Sequence, residues 1–133
     1  VTLVVDASVA VLWVLQQPGS DRADKLRVGE RLVAPSLIAA EIGNALWKAV
    51  RRGDSNKADA LVALKTAILN LDGTIPLEEL HSRALELAME LDHPIYDCFY
   101  LALAERERCP LVTADKRLLT AAKKMKEIEV RAL

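Results

Sequence analysis

With 133 residues, 52% of them hydrophobic and 28% charged, the chain suits one compact domain over residues 1–133 rather than two small ones. Its net charge of −1 gives no global basic field, so any contact with nucleic acid has to come from a local patch. The opening Val1-Thr2-Leu3-Val4-Val5 run is too short and uncharged for a signal peptide, and no run approaches a membrane span of roughly eighteen apolar residues, so a soluble cytoplasmic protein with no membrane partner is expected.

A first strand is read over Leu3-Val4-Val5, ended by Asp6. Ser8 can cap the apolar stretch 9–15, Pro18-Gly19 makes a turn, and Ser20 with Asp21 starts a short charged helix. Val33-Ala34-Pro35 reads as a second strand. Ser36 then serves as N-cap for a long helix through Ile38, Ile42, Leu46 and Ala49, stopped by Gly53. Ser55 opens a further helix with Leu61, Leu64 and Ile68 that ends near Asp72-Gly73, and Thr74-Ile75-Pro76 is a third strand. Leu80, Ala84, Leu87, Ala88 and Leu91 give residues 77–91 one helical stripe, which Asp92-His93-Pro94 breaks. The next helix carries Ile95, Cys98, Phe99, Leu101 and Ala102, with Asp97 in its first turn and Arg106 and Arg108 at its end, where cations complement the dipole. Pro110 separates it from a fourth strand at Leu111-Val112-Thr113. Asp115 begins a last helix through Leu118 and Ala122, and Ile128-Glu129-Val130 adds an edge strand. Strands alternating with helices imply an α/β fold, a three-layer αβα sandwich with a parallel sheet of four to five strands reached by right-handed crossovers.

Four acids stand out against this pattern: Asp6, Glu41, Asp97 and Asp115. Asp6 and Asp115 fall just past the carboxyl ends of strands, the rim where open α/β sheets bind ligands, while Glu41 and Asp97 are acidic breaks in apolar helices. Taken singly, Asp6 and Asp115 could be helix N-caps and Asp97 could complement a helix dipole. Glu41, set among Ile38, Ile42 and Ala45, has no such explanation, because a buried unpaired carboxylate is costly. Carboxylates brought within a few ångströms of one another repel, and some stay protonated unless a cation compensates them. Oxygen ligands without His or Cys suit Mg²⁺ or Mn²⁺. Such an ion lowers the pKa of a bound water and offsets charge on a phosphodiester, so metal-assisted phosphodiester hydrolysis is the reaction class expected.

Four segments carry a family resemblance: Val4-Val5-Asp6-Ala7-Ser8, Pro35-Ser36-Leu37-Ile38-Ala39-Ala40-Glu41, Tyr96-Asp97-Cys98-Phe99-Tyr100-Leu101-Ala102-Leu103-Ala104, and Leu111-Val112-Thr113-Ala114-Asp115-Lys116-Arg117-Leu118. In this order and at these spacings the chain resembles the PIN-domain ribonucleases of the VapC toxin type over nearly its full length. The resemblance implies an endoribonuclease fold and places the family's acidic metal-binding set on Asp6, Glu41, Asp97 and Asp115. Thr113 matches the family's hydroxyl position and Ser8 the small polar residue beside the first Asp. Asp6 and Asp97 are then first choices as direct ligands, Asp115 as a ligand or water-mediated partner, and Glu41 as a ligand or the group orienting the attacking water. The hydroxyls of Thr113 and Ser8 would hold these carboxylates. Whether one ion or two act stays open. The resemblance further implies a cognate antitoxin that blocks the site, and a homodimer or dimer of dimers.

Lys48, Arg51 and Arg52 share the helix of Glu41, and Lys116 and Arg117 follow Asp115, so each either meets substrate phosphates or forms a solvated helix face. Lys123, Lys124 and Lys126 read as solvated. His81 and His93 have no second His at ligand spacing and read as structural, and Cys98 and Cys109 as core thiols. Trp13 and Trp47 suit either a core or a docking patch. A free-standing PIN nuclease of RNA processing, or one acting on single-stranded DNA, is the nearest alternative. A receiver-like phosphoacceptor domain is a further one, disfavoured because Asp6-Ala7 is no acidic pair and Leu32-Val33-Ala34-Pro35 carries no acid. A haloacid-dehalogenase-like phosphatase needs a second Asp where Ser8 stands.

Overall fold

The short apolar run at the N-terminus forms the middle of the sheet. In the computed structural model, which describes residues 1–133, β1 (Thr2–Val5) pairs with β2 (Arg31–Pro35) on one side and β4 (Leu111–Thr113) on the other. The edges are β3 (Gly73–Ile75) and β5 (Val130–Ala132), and all neighbours are parallel in the order β3-β2-β1-β4-β5. The inner strands are buried almost throughout while β3 and β5 are partly open. Strands covered on both faces read as continuous Val/Leu runs rather than alternating ones, which is why β1, β2 and β4 were legible.

Helix α1 (Ala7–Ala10), continued by a 3₁₀ turn over Val11–Trp13, and α2 (Ser20–Leu26) connect β1 to β2. Helices α3 (Ile38–Arg52) and α4 (Lys57–Leu69) connect β2 to β3, α5 (His81–Leu91) and α6 (Ile95–Glu107) connect β3 to β4, and α7 (Lys116–Ala122) leads to β5. Right-handed crossovers put the first two connections on one face of the sheet and the last two on the other, giving the three-layer αβα sandwich. The direction of winding reverses at β1, so the crevice between the carboxyl ends of β1 and β4 is the topological switch point where ligands bind in such folds.

Helix α6 is buried along residues 98–104 and packs against α5 and against β1, β2 and β4. A helix apolar all round is what a position between a sheet and another helix requires. Trp13 belongs to the core, with its indole N–H donating to the Ala23 carbonyl at 2.9 Å, whereas Trp47 is 53% exposed. Both cysteines are free, Cys98 buried in α6 with its thiol pushed up to about 11 by that burial. No helix is long and apolar enough to cross a membrane.

Several boundaries differ from the sequence reading. Ser36 does not cap α3: the helix starts after Leu37 without a side-chain cap, and the Ser36 amide instead donates to the Ile75 carbonyl at 2.9 Å, extending the β2–β3 ladder. Asn56 rather than Ser55 caps α4, accepting from the Asp59 amide at 2.9 Å. The stripe over 77–91 splits into a 3₁₀ turn (Leu77–Glu79) and α5, because Leu80 sits at φ −122, outside the helical region. The last strand lies two residues later than read, since Val130 pairs with Leu111 while Ile128 packs into the core.

Candidate active site

Asp6 follows β1 and is only 5% exposed. Its extended backbone (φ −99, ψ 178) makes it, rather than Ser8, the N-cap of α1, and its Oδ1 accepts from the Val9 amide at 3.3 Å. The same oxygen accepts from Ser8 Oγ at 2.5 Å, and Oδ2 accepts from Thr113 Oγ1 at 2.6 Å. Register explains the second contact: Val5 pairs with Val112, so the residues that follow adjoin. Both hydroxyls are oriented by the turn after β4, because Ser8 Oγ accepts from the Ala114 amide and Thr113 Oγ1 from the Asp115 amide, each at 2.9 Å. Amides can only donate, so each hydroxyl is left to donate its own proton to Asp6. Burial raises the Asp6 pKa from 3.8 to about 6, the hydrogen bonds from Ser8, Thr113 and Val9 opposing it and the charge of Asp115 adding to it.

Glu41 stands in the first turn of α3, and its Oε1 accepts from the buried Tyr100 hydroxyl of α6 at 2.5 Å. Burial raises its pKa, the Tyr100 bond opposes this, and the charges of Asp97, Asp6 and Asp115 raise it further. Asp97 lies in the first turn of α6, with Oδ2 at 2.6 Å from His93 Nε2. Asp115 caps α7, its Oδ1 accepting from the Arg117 amide at 2.8 Å. Asp6 and Asp115 are therefore both helix N-caps, the reading that each admits when taken singly.

Charge coupling ties the four into one neighbourhood, since Glu41 feels the other three and Asp6 feels Asp115. Neither Asp6, Glu41 nor Asp115 forms an ion pair with any Lys or Arg, and Asp97 pairs only with His93. Ser8, Glu41, Lys48, Tyr96 and Asp115 line a cavity of about 570 Å³. A larger hollow of about 670 Å³ lies at the amino end of β4, lined by Glu105, Cys109, Pro110 and Glu127, and holds none of the four acids. Volume alone would therefore mislead. An anionic pocket of oxygen donors fits a hard divalent cation. No three His, Cys, Asp or Glu groups form a metal cage by themselves, so an ion held here would take only one or two carboxylates directly and keep several waters.

The predicted basic residues divide. Lys116 and Arg117 line a groove of about 380 Å³ with His93, Thr120 and Lys124, beside the Asp115 end of α7. Lys48 reaches the acidic cavity. Arg51 and Arg52 are at the far end of α3, about ten residues or ~15 Å along the axis from Glu41. There Arg51 stacks on Trp47 at 4.9 Å and Arg52 pairs with Asp54 at 2.9 Å. Sequence reasoning passed over two contacts: His93, read as structural, touches Asp97, and Tyr100, quoted without a role, holds Glu41. The signals were there in the i, i+4 spacing of His93 and Asp97 and in the i, i+3 spacing of Asp97 and Tyr100.

A family model described as PIN domain matches residues 3–124. The chain belongs to the PIN-domain family. Among curated relatives of this PIN domain, VapC ribonuclease Mb0985 of Mycobacterium bovis is 37% identical over 116 residues, covering 87% of each chain. Ribonuclease VapC3 of Pyrobaculum aerophilum is 31% identical over 119 residues, covering 87% of this chain and 91% of that one. Among solved structures, PAE2754 from Pyrobaculum aerophilum superposes with a TM-score of 0.69 at 30% identity, over 98% of this PIN domain and 90% of that chain. VapBC2 from Rickettsia felis, bound to a DNA fragment from its promoter, superposes at 0.73 with 16% identity over 100% and 99%, and at that identity shares the fold alone.

Proposed function

We propose that this PIN domain is a Mg²⁺- or Mn²⁺-dependent endoribonuclease and the toxin of a VapBC-type toxin–antitoxin pair. One observation carries the reading: Glu41, whose proton affinity is raised by burial and by the charges of Asp97, Asp6 and Asp115, lines a cavity with Asp115, and none of the four acids is paired to a Lys or Arg. Relatives named as VapC ribonucleases, 31% to 37% identical, supply the substrate class. Asp6 and Asp97 would hold the ion directly, with Asp115 as a ligand or water-mediated partner and Glu41 as a ligand or the acceptor that orients the attacking water. The bound ion supplies an acidified water and offsets charge on the phosphodiester. Thr113 and Ser8 fix the Asp6 carboxylate, and Tyr100 fixes Glu41 at the cavity wall. Lys116 and Arg117, in the groove next to Asp115, would meet backbone phosphates, contacts that position RNA without reading its bases.

The antitoxin would cover the pocket from the α3–α4 side. A mostly apolar cavity of about 370 Å³ there is lined by Leu46, Trp47, Val50, Leu61 and Leu64. A small reading frame next to this gene, encoding a DNA-binding N-terminus, is the expected genetic sign.

The deciding experiment incubates the protein with pooled total RNA in Mg²⁺, Mn²⁺ or chelator, and compares wild type with Asp6→Asn and Asp97→Asn. Cleavage that requires metal and both aspartates is expected. Chelator-insensitive cleavage, or full activity in both variants, would sink the reading.

A further inference from the structure

We infer that His93 is a positioning residue for Asp97, holding one carboxylate oxygen so that the other is presented to the divalent ion; this rests on the metal-nuclease reading above. Asp6 has two hydroxyls and an amide, Glu41 a buried phenol, and Asp115 the amides of α7. The only side-chain partner of Asp97 is His93, whose Nε2 lies 2.6 Å from Oδ2. A carboxylate only accepts, so Nε2 carries the proton in this contact. At 26% exposure the Asp97 side chain is the one with room to swing, while the imidazole is 10% exposed and fixed.

The backbone makes His93 rigid from both sides. Asp92 adopts the left-handed region (φ 51) to end α5, and Pro94 (φ −54) starts α6. Between them, the His93 amide donates to the Ala88 carbonyl at 3.1 Å, and its carbonyl accepts from Cys98 Sγ at 3.9 Å. The backbone of His93 is thus tied to both helices that meet at the turn, while the ring itself is held by Asp97 on the second of them. A ligand oriented in this way loses less rotamer freedom on binding metal, and removing such a partner typically costs about 10–100-fold in metal affinity or activity.

The test measures Mn²⁺ binding directly, from the free-ion electron paramagnetic resonance signal, for wild type, His93→Ala, His93→Gln and Asp97→Asn, with RNA cleavage followed in parallel. His93→Ala is expected to weaken Mn²⁺ binding roughly 10–100-fold. His93→Gln, whose amide nitrogen reaches to a similar position, is expected to recover most of that loss, which a merely structural role would not allow. If His93→Ala does not fold, His93→Phe fills the space without a donor and takes its place in the comparison. Wild-type Mn²⁺ affinity in the donorless variant, or equal weakness in His93→Gln, overturns the inference while leaving the nuclease reading standing. A wild-type protein that binds no Mn²⁺ overturns both.

Discussion

Replacing Asp6 by Asn should make the metal-free protein more stable at neutral pH, although Asp6 is among the most buried and most hydrogen-bonded polar residues of the chain. Its carboxyl binds a proton more tightly folded than unfolded, with a pKa raised from 3.8 to about 6. The folded state therefore holds more protons across that window, so this group's stabilising contribution is complete below about pH 4 and is lost as pH rises through about 6. A displacement of that size corresponds to ~3 kcal/mol of charging penalty at neutral pH. Asn removes the charge and retains an acceptor for the Val9 amide and the Ser8 hydroxyl, while its own N–H₂ can donate to Thr113 Oγ1 in place of the bond it loses. Any packing difference between Asn and the protonated acid is independent of pH. Thermal unfolding in chelator-treated buffer should thus show the variant's advantage over wild type widening from about pH 4 to about pH 7.5 by ~2–3 kcal/mol, or roughly 7–11 °C for a chain of this length. Added Mn²⁺ should raise the wild-type midpoint and leave the variant unmoved. A gap that stays constant or narrows as pH rises would refute the claim that burial and the charge of Asp115 strain Asp6.

Asp115 separates capping from ligation: Asp115→Ala should cost about 0.5–2 kcal/mol through loss of the α7 cap, whereas Asp115→Asn caps as well, so its denaturation midpoint should stay near wild type while Mn²⁺ binding falls. Alanine at Lys116 and Arg117 together should raise the KM for RNA with Mn²⁺ affinity unchanged, and should flatten the salt dependence of RNA binding by ~1.4 in log–log slope if both meet phosphates of a single strand. An unchanged slope would return them to the solvated face of α7.

Local periodicity and punctuation were enough to place most elements. The runs at β1, β2 and β4 are apolar because both faces of those strands are covered, and the positive-φ stop at Gly53 is visible as a glycine after a helical stripe. Errors cluster where tertiary pairing overrode a local preference. Ser36 is a good cap, yet its amide is recruited by β3, and the edge strand β5 takes its register from β4 rather than from its own hydrophobicity. Trp13 and Trp47 sit in similar apolar surroundings along the chain, and only the layering of the helices separates a core residue from an exposed one.

By itself the sequence determined which residue types could make an anionic, oxygen-only site and that Asp6 and Asp115 fall past strand ends and Asp97 at a helix start, since these are local properties of composition and period, whereas the first-turn place of Glu41 follows from α3 starting after Leu37. Tertiary structure decided what holds each acid. Thr113 reaches Asp6 across 107 positions and Tyr100 reaches Glu41 across 59, contacts fixed by sheet register and by the seating of α6, which no local pattern encodes. It also decided which cations lie near the pocket: Lys48, Lys116 and Arg117 do, while Arg51 and Arg52 lie ~15 Å along α3 from Glu41, because a helix advances ~1.5 Å per residue whatever the charge on its side chains.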